Sequence, residues 1–186
     1  MLNNRPDCFV WTSEIICTLV SDNVMIPNVY TVSIGMQPNS PNSDDVELGF
    51  KKIKHFVNEY LSNSVFINKK SAYTKTLSKL DTNLVLFPND PYDYLVGLVL
   101  YRKFEAISEK YFNIDFLTID SSAGDRVQYT LTADCVVEDD LTGDYWWNKD
   151  SVNTGTKNQT SWDDLNIKES PRFSPVVVKG GKSENR

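Results

Sequence analysis

The sequence has few of the residues on which common catalytic and cofactor-binding motifs depend. It contains one histidine and eight glycines, and neither GxxxxGKS, GxxxxGKT nor GxGxxG occurs in it. Phosphate-binding loops need such glycines because their backbone N–H groups must approach the phosphates closely. GxSxG, the motif of many serine hydrolases, is also absent. Because His55 is the only histidine, a Ser-His-Asp or Cys-His system would have to use it as the base. His55 lies off the apolar stripe of a predicted helix, between Lys51 and Glu59, and we interpret it as a solvated surface side chain.

Metal-binding patterns are equally scarce. The three cysteines, Cys8, Cys17 and Cys135, have no CxxC spacing, and we expect them to be buried free thiols. A calcium loop beginning at Asp140 would need glycine at its sixth position and glutamate at its twelfth, where Tyr145 and Ser151 stand instead. The sequence therefore predicts no metal site and no cofactor.

Strong charge and long apolar runs are absent too. The net charge of −6 argues against a nonspecific nucleic-acid binder, which would cluster Lys and Arg. No stretch reaches the ~18 apolar residues of a membrane span, and the N-terminus lacks the apolar run of a signal peptide. We expect a cytoplasmic protein.

Runs rich in Val, Ile, Thr and aromatic residues predict the strands. These runs are 9–20, 25–36, 65–67, 83–87, 114–120 and 126–132. The first two read as a hairpin, and so do the last two. The order of strands and helices predicts an α+β domain over residues 1–137, with a mostly antiparallel sheet of about five to six strands and two helices on one face.

Two segments carry helix signals. Asp44 can cap the first helix, with Glu47 three residues later, and Asp90 followed by Pro91 starts the second. Apolar residues at spacings of three and four then predict a buried stripe on each helix. The residues predicted to be buried are Phe50, Ile53, Val57, Leu100 and Phe104.

The character of the chain changes after about residue 137. Residues 138–170 carry eight acidic and three basic side chains, a local net charge of −5, whereas residues 171–186 carry four basic and one acidic, a net charge of +3. We interpret residues 138–186 as an extended arm. Four large apolar groups stand in the polar part of this arm: Tyr145, Trp146, Trp147 and Trp162. They can pack back onto the domain, anchor in a protein partner, or stack on a sugar or a base.

A resemblance covers roughly residues 44–150. The run NLVLFPNDPYDYLVGLVLYRKFEAI, followed by SSAGDRVQYTLT and GDYWWNKD, resembles uncharacterised accessory or virion proteins of large tailed phages. The resemblance implies no known activity and assigns no catalytic residue. It implies that the chain is an accessory or virion protein of a phage, located in the host cytoplasm or in the virion.

The resulting functional hypothesis is a nonenzymatic interaction or assembly protein. It would bind a protein partner, or a copy of itself, through Tyr145, Trp146, Trp147 and Trp162. The alternative is a small divalent-metal-dependent hydrolase of the nuclease or phosphatase type, using clustered aspartates. The candidate aspartates are Asp90, Asp93, Asp115, Asp120 and Asp125.

Overall fold

The structure, a computed structural model, describes residues 8–39, 42–124, 127–136, 141–156 and 161–162. The six strands are β1 (Phe9–Ser21), β2 (Val24–Pro38), β3 (Ser64–Asn68), β4 (Leu84–Phe87), β5 (Phe112–Ser121) and β6 (Tyr129–Leu131). The helices are α1 (Ser43–His55), which continues into a π-helical turn (Phe56–Leu61), the short α2 (Thr74–Leu77) and α3 (Asp93–Ser108). The α+β class and the number of strands predicted from the sequence are confirmed.

The sheet is mixed, so the expectation of a mostly antiparallel sheet is wrong. Its order is β4-β3-β1-β2-β5-β6. The two predicted hairpins are present, since β1–β2 and β5–β6 pair antiparallel, but β3 pairs parallel with both β1 and β4. A parallel pair needs a crossover of about a dozen residues. The polar segment 69–83, which contains α2, supplies that crossover between β3 and β4.

Alternation along the strands separates the two faces of the sheet. On the inner face, Ile15, Tyr30 and Val32 join the main core, to which α1 and α3 also contribute. On the outer face of β1, Val10 and Ile16 are exposed. The short α2 packs on that outer face, where a second cluster joins Val20, Ile67, Leu77 and Leu84.

Local sequence explains where α1 begins but not where α3 begins: its N-cap is Tyr92, which makes no side-chain cap hydrogen bond, so the predicted start at Asp90 and Pro91 is wrong. The side chain of Asn42, two residues before the predicted cap, accepts a hydrogen bond from the backbone N–H of Asp44 at 3.1 Å and so caps α1.

Four of the five predicted core residues, Ile53, Val57, Leu100 and Phe104, are fully buried. Phe50 is half-buried and packs edge-on against Trp11, with ring centroids 5.6 Å apart. None of the helices described here is both long and apolar enough to cross a bilayer.

A segment of the predicted arm, residues 141–156, lies against this core, and we call it the strap. It covers the free edge of the sheet at β4. The backbone N–H of Leu86 donates to the carbonyl oxygen of Thr154 at 2.8 Å, and the Thr154 hydroxyl donates to the carbonyl oxygen of Leu84 at 2.6 Å. The strap therefore satisfies backbone groups that an open edge would leave unpaired.

Candidate functional site

The aromatic residues of the strap are placed inside their own chain. Trp146 and Trp147 are 6% and 1% exposed. The indole N–H of Trp146 donates to the carbonyl oxygen of Leu86 at 2.8 Å, and that of Trp147 donates to the carbonyl oxygen of Leu141 at 2.9 Å. The half-buried Tyr145 ring stacks on Trp147, with centroids 4.5 Å apart. Both tryptophans therefore have their apolar surface covered and their one donor satisfied.

A buried lysine fastens the strap to α3. Lys103 is fully buried, and its ammonium donates to the carbonyl oxygens of Trp146 (3.1 Å), Lys149 (2.7 Å) and Ser151 (2.6 Å). It also lies 5.1 Å from the centroid of the Phe56 ring. Burial lowers the pKa of Lys103 to about 7, against the opposing attraction of the Asp150 carboxylate. With three donors bonded to three carbonyl oxygens, we interpret Lys103 as a structural group.

Trp162 lies beside a second contact that holds the strap in place, the ion pair between Asp150 and Lys52. Its indole N–H donates to the Asp150 carboxylate at 2.7 Å, and Asp150 forms an ion pair with Lys52 at 3.2 Å. The Lys52 ammonium lies 5.1 Å from the Trp162 ring centroid. His55 is half-buried, with its ring 6.5 Å from that of Trp162, and its Nε2 finds no hydrogen-bond partner within the described residues. The interpretation of His55 as a fully solvated side chain is therefore only partly correct.

Several of the aspartates considered for a hydrolase serve structural roles. Asp90 accepts from the Asn68 side chain at 2.9 Å and from the backbone N–H of Asp22 at 3.4 Å, joining the tip of the β1–β2 hairpin to the start of α3. Asp115 accepts from the Cys8 thiol at 3.3 Å. Asp125 lies outside the described residues. Across the described ranges, no group of three or more His, Cys, Asp or Glu side chains could hold a metal ion.

Asp93 belongs to a buried polar cluster beneath the start of α3. The Tyr30 hydroxyl donates to its carboxylate at 2.9 Å. Burial raises the pKa of Tyr30 well above its usual value, and the negative charge of the Asp93 carboxylate adds a smaller effect in the same direction. Burial and the same carboxylate also raise the pKa of Cys17 to about 12. Cys17 is buried as predicted, but Cys8 and Cys135 are exposed, so the expectation of three buried thiols is wrong for those two. Tyr30 therefore stays a donor and Cys17 stays a thiol at neutral pH, so the cluster anchors α3 and offers no thiolate nucleophile.

Removing one hydroxyl tests this anchor. Tyr30→Phe is expected to lower the free energy of unfolding by about 1–3 kcal/mol, because the part-buried Asp93 carboxylate loses a donor. Urea denaturation of the purified protein measures the effect. Tyr92→Phe is the matched control, since Tyr92 is 56% exposed, and it should change stability by less than about 0.5 kcal/mol. Equal stabilities of the two variants would contradict the anchoring role.

The sheet edge at β4 also borders an open cleft of about 920 Å³, which we call the edge cleft. Its walls come from the π-helical turn, the 74–84 segment, β4 and the end of the strap. The lining residues include Tyr60, Asn63, Ser78, Asp81, Thr82, Leu84, Leu86, Val152 and Thr156. Such a volume falls within the range of ~300–1,000 Å³ that is usual for small-molecule sites.

Backbone and side-chain contacts hold the walls of the edge cleft in place. Gly155 has a φ of +94°, and a Cβ there would lie 2.8 Å from the Cβ of Leu86 and 2.9 Å from Cδ1 of Trp146. The strap can therefore turn away from β4 at this point only because the residue is glycine. On the opposite wall, the Asn83 side chain donates to the carbonyl oxygen of Glu59 at 3.0 Å.

The polar groups of the edge cleft are only partly used by the fold. The side chains of Thr154 and Asn83 donate hydrogen bonds to backbone carbonyl oxygens in the walls. Asn63, Asp81 and Thr82 form no side-chain hydrogen bond with the described part of the chain. Asp81 is also the one charged side chain among the described lining residues. The cleft therefore presents spare hydroxyl and amide groups next to a single carboxylate.

No protein-family model matches the chain, and no curated protein matches it. Among solved structures, the chain is similar to a catalytic-residue mutant of 6-pyruvoyltetrahydropterin synthase from Plasmodium vivax. The two are 11% identical, with a TM-score of 0.43, and the match covers 67% of this chain and 95% of that one. The phage resemblance and the cytoplasmic location stay predictions.

The nonenzymatic docking function predicted from the sequence is wrong. The docking hypothesis needed tryptophan rings that are free to enter a partner, and Trp146 and Trp147 are covered by their own domain. The sequence could not separate the two outcomes, because the same aromatic pattern suits packing within the chain and packing against a partner.

Proposed function

We propose that this chain binds a small, hydroxyl-bearing molecule that is neutral or cationic in the edge cleft. One observation carries the proposal: polar groups that the fold does not use converge, with a single carboxylate, on a cleft of about 920 Å³. Ligand sites combine an apolar lining with a few placed polar groups in this way.

The charge of the cleft indicates which ligands it disfavours. Asp81 places one negative charge at the cleft, and no Lys or Arg lines the described part of it. A phosphate or carboxylate on the ligand would face that repulsion without a compensating Lys or Arg. Neutral and cationic molecules are therefore favoured over their phosphorylated counterparts.

A ligand screen tests the proposal. Free sugars, polyols, nucleosides and polyamines are compared with their phosphorylated or carboxylated counterparts, where these exist, by thermal denaturation of the full chain. A ligand at one hundred times its Kd adds about 2.7 kcal/mol to native stability. For a chain of this size that corresponds to a rise in Tm of roughly 5–10 °C.

The location of binding is checked by NMR. A true ligand should shift the backbone resonances of Asn63, Asp81 and Thr82. Asp81→Asn should reduce the preference for neutral over phosphorylated ligands, whereas Asp134→Asn, an exposed carboxylate outside the cleft lining, should leave it unchanged. The proposal fails if no compound perturbs these resonances, or if the shifts lie elsewhere in the chain.

A further inference from the structure

Burial divides the lining of the edge cleft into an apolar base and a polar rim. Leu84 and Val152 are 2% and 1% exposed, so they lie beneath the base, and the part-buried Leu86 provides its apolar surface that a ligand can contact. The residues at the rim are more exposed and mostly polar. They are Asn63, Ser78, Asp81, Thr82, Asn83 and Thr156, together with Leu80, which is 59% exposed.

Tyr60 provides an aromatic surface beside this base. Its ring is half-buried and stacks on Phe56, with centroids 6.0 Å apart and an interplanar angle of 9°. The His55 ring lies 5.8 Å away at a tilt of 57°. The Tyr60 ring is thus held by its neighbours while it lines the cleft, and little conformational entropy is lost when a ligand packs on it.

We infer that the ligand of the edge cleft is a saccharide, with the apolar face of one pyranose ring against Tyr60. This inference rests on the proposed function. A pyranose carries C–H groups on its faces and hydroxyls around its circumference, which matches an apolar base inside a polar rim. A nucleobase carries its polar groups along one edge and would leave most of the rim unused.

The Asp81 carboxylate suits the same ligand. A carboxylate accepts hydrogen bonds from two neighbouring hydroxyl groups, and charge-assisted bonds of this kind are stronger than neutral ones. Asn63 and Thr82 can donate to and accept from further hydroxyls, since the fold does not use their side chains in the described residues. A sugar phosphate or sugar acid would lack a cation to pair with its charge.

Titration calorimetry tests the inference. The sugars used are N-acetylglucosamine, glucose, cellobiose and chitobiose, and adenosine and spermidine represent the other ligand classes that the cleft could bind. We expect one or more sugars to bind and adenosine and spermidine to bind at least tenfold more weakly. Tyr60→Ala should weaken sugar binding tenfold or more, and Tyr60→Phe should weaken it less than threefold. Asp81→Asn should weaken it about tenfold, and Tyr92→Ala, outside the cleft lining, should have no effect.

The outcomes separate the inference from the proposed function. If adenosine or spermidine shifts the resonances of Asn63, Asp81 and Thr82 and no sugar does, the saccharide is wrong and the cleft remains a ligand site. If no probe shifts these resonances, both the saccharide inference and the proposed ligand-binding function are wrong. If a sugar binds equally well to Tyr60→Ala and to wild type, the ring does not hold the ligand and the inference is also overturned. Because Tyr60→Ala also removes core packing, Asp81→Asn provides a second test on an exposed residue.

Discussion

Lys103→Met is expected to lower the free energy of unfolding by about 1–3 kcal/mol at pH 9. At that pH the Lys103 amine is neutral, because its pKa is about 7, and it can still donate two hydrogen bonds to the strap. The substitution removes these donors: the carbonyl oxygens of Trp146 and Lys149 keep backbone N–H donors at 3.4 and 2.9 Å, whereas that of Ser151 loses its donor from Lys103. A buried acceptor left without a donor costs roughly 1–3 kcal/mol. Denaturation in urea, followed by tryptophan fluorescence, measures the net effect.

The same loss should shrink as the pH falls. The folded pKa of Lys103, about 7, lies below the value near 10.5 of an unfolded chain. Between these values the unfolded chain binds more protons than the folded one, so stabilisation by Lys103 increases with pH at up to ~1.4 kcal/mol per unit. The difference between wild type and Lys103→Met should therefore be larger at pH 9 than at pH 6.

The control is Lys110→Met, because Lys110 is exposed. This variant should unfold like wild type at both pH values. Unchanged stability of Lys103→Met at pH 9, or a larger loss at pH 6 than at pH 9, would contradict the role assigned to the buried lysine.

Phe104→Ala is expected to cost about 3–5 kcal/mol of stability. Phe104 is fully buried in the main core, and truncating a buried aromatic side chain loses its transfer free energy and leaves a cavity. Leu80→Ala is the control, because Leu80 is 59% exposed, and it should cost less than about 1 kcal/mol. Matching urea midpoints for Phe104→Ala and wild type would show that α3 is not packed as described.

Much of the secondary structure could be predicted from local sequence signals. The alternation in β1, β2 and β5 and the stripe through Ile53, Val57, Leu100 and Phe104 arise from residues that face one core. The parallel pairing of β3 could not be read in this way. It depends on how the 69–83 segment crosses the sheet, and strand periodicity does not record that path.

The candidate site was largely hidden from the sequence. Lys103 could have been noticed, since it lies three residues after Leu100 and four before Ile107 and so falls on the buried stripe of α3. The edge cleft gives no such signal, because its lining comes from distant segments between Tyr60 and Thr156. The predicted domain boundary at residue 137 lies outside the described residues and stays a prediction.

Hydrogen exchange of the indole N–H groups tests most directly whether the aromatic strap packs within its own domain. Full-length protein labelled with ¹⁵N is studied by NMR over a range of concentrations, with light scattering to record its mass. The N–H groups of Trp146 and Trp147, bonded to the carbonyl oxygens of Leu86 and Leu141, should exchange at least a hundredfold more slowly than a free indole at every concentration. Exchange of both at the free-indole rate, or protection that appears only as the chain associates, would contradict the account.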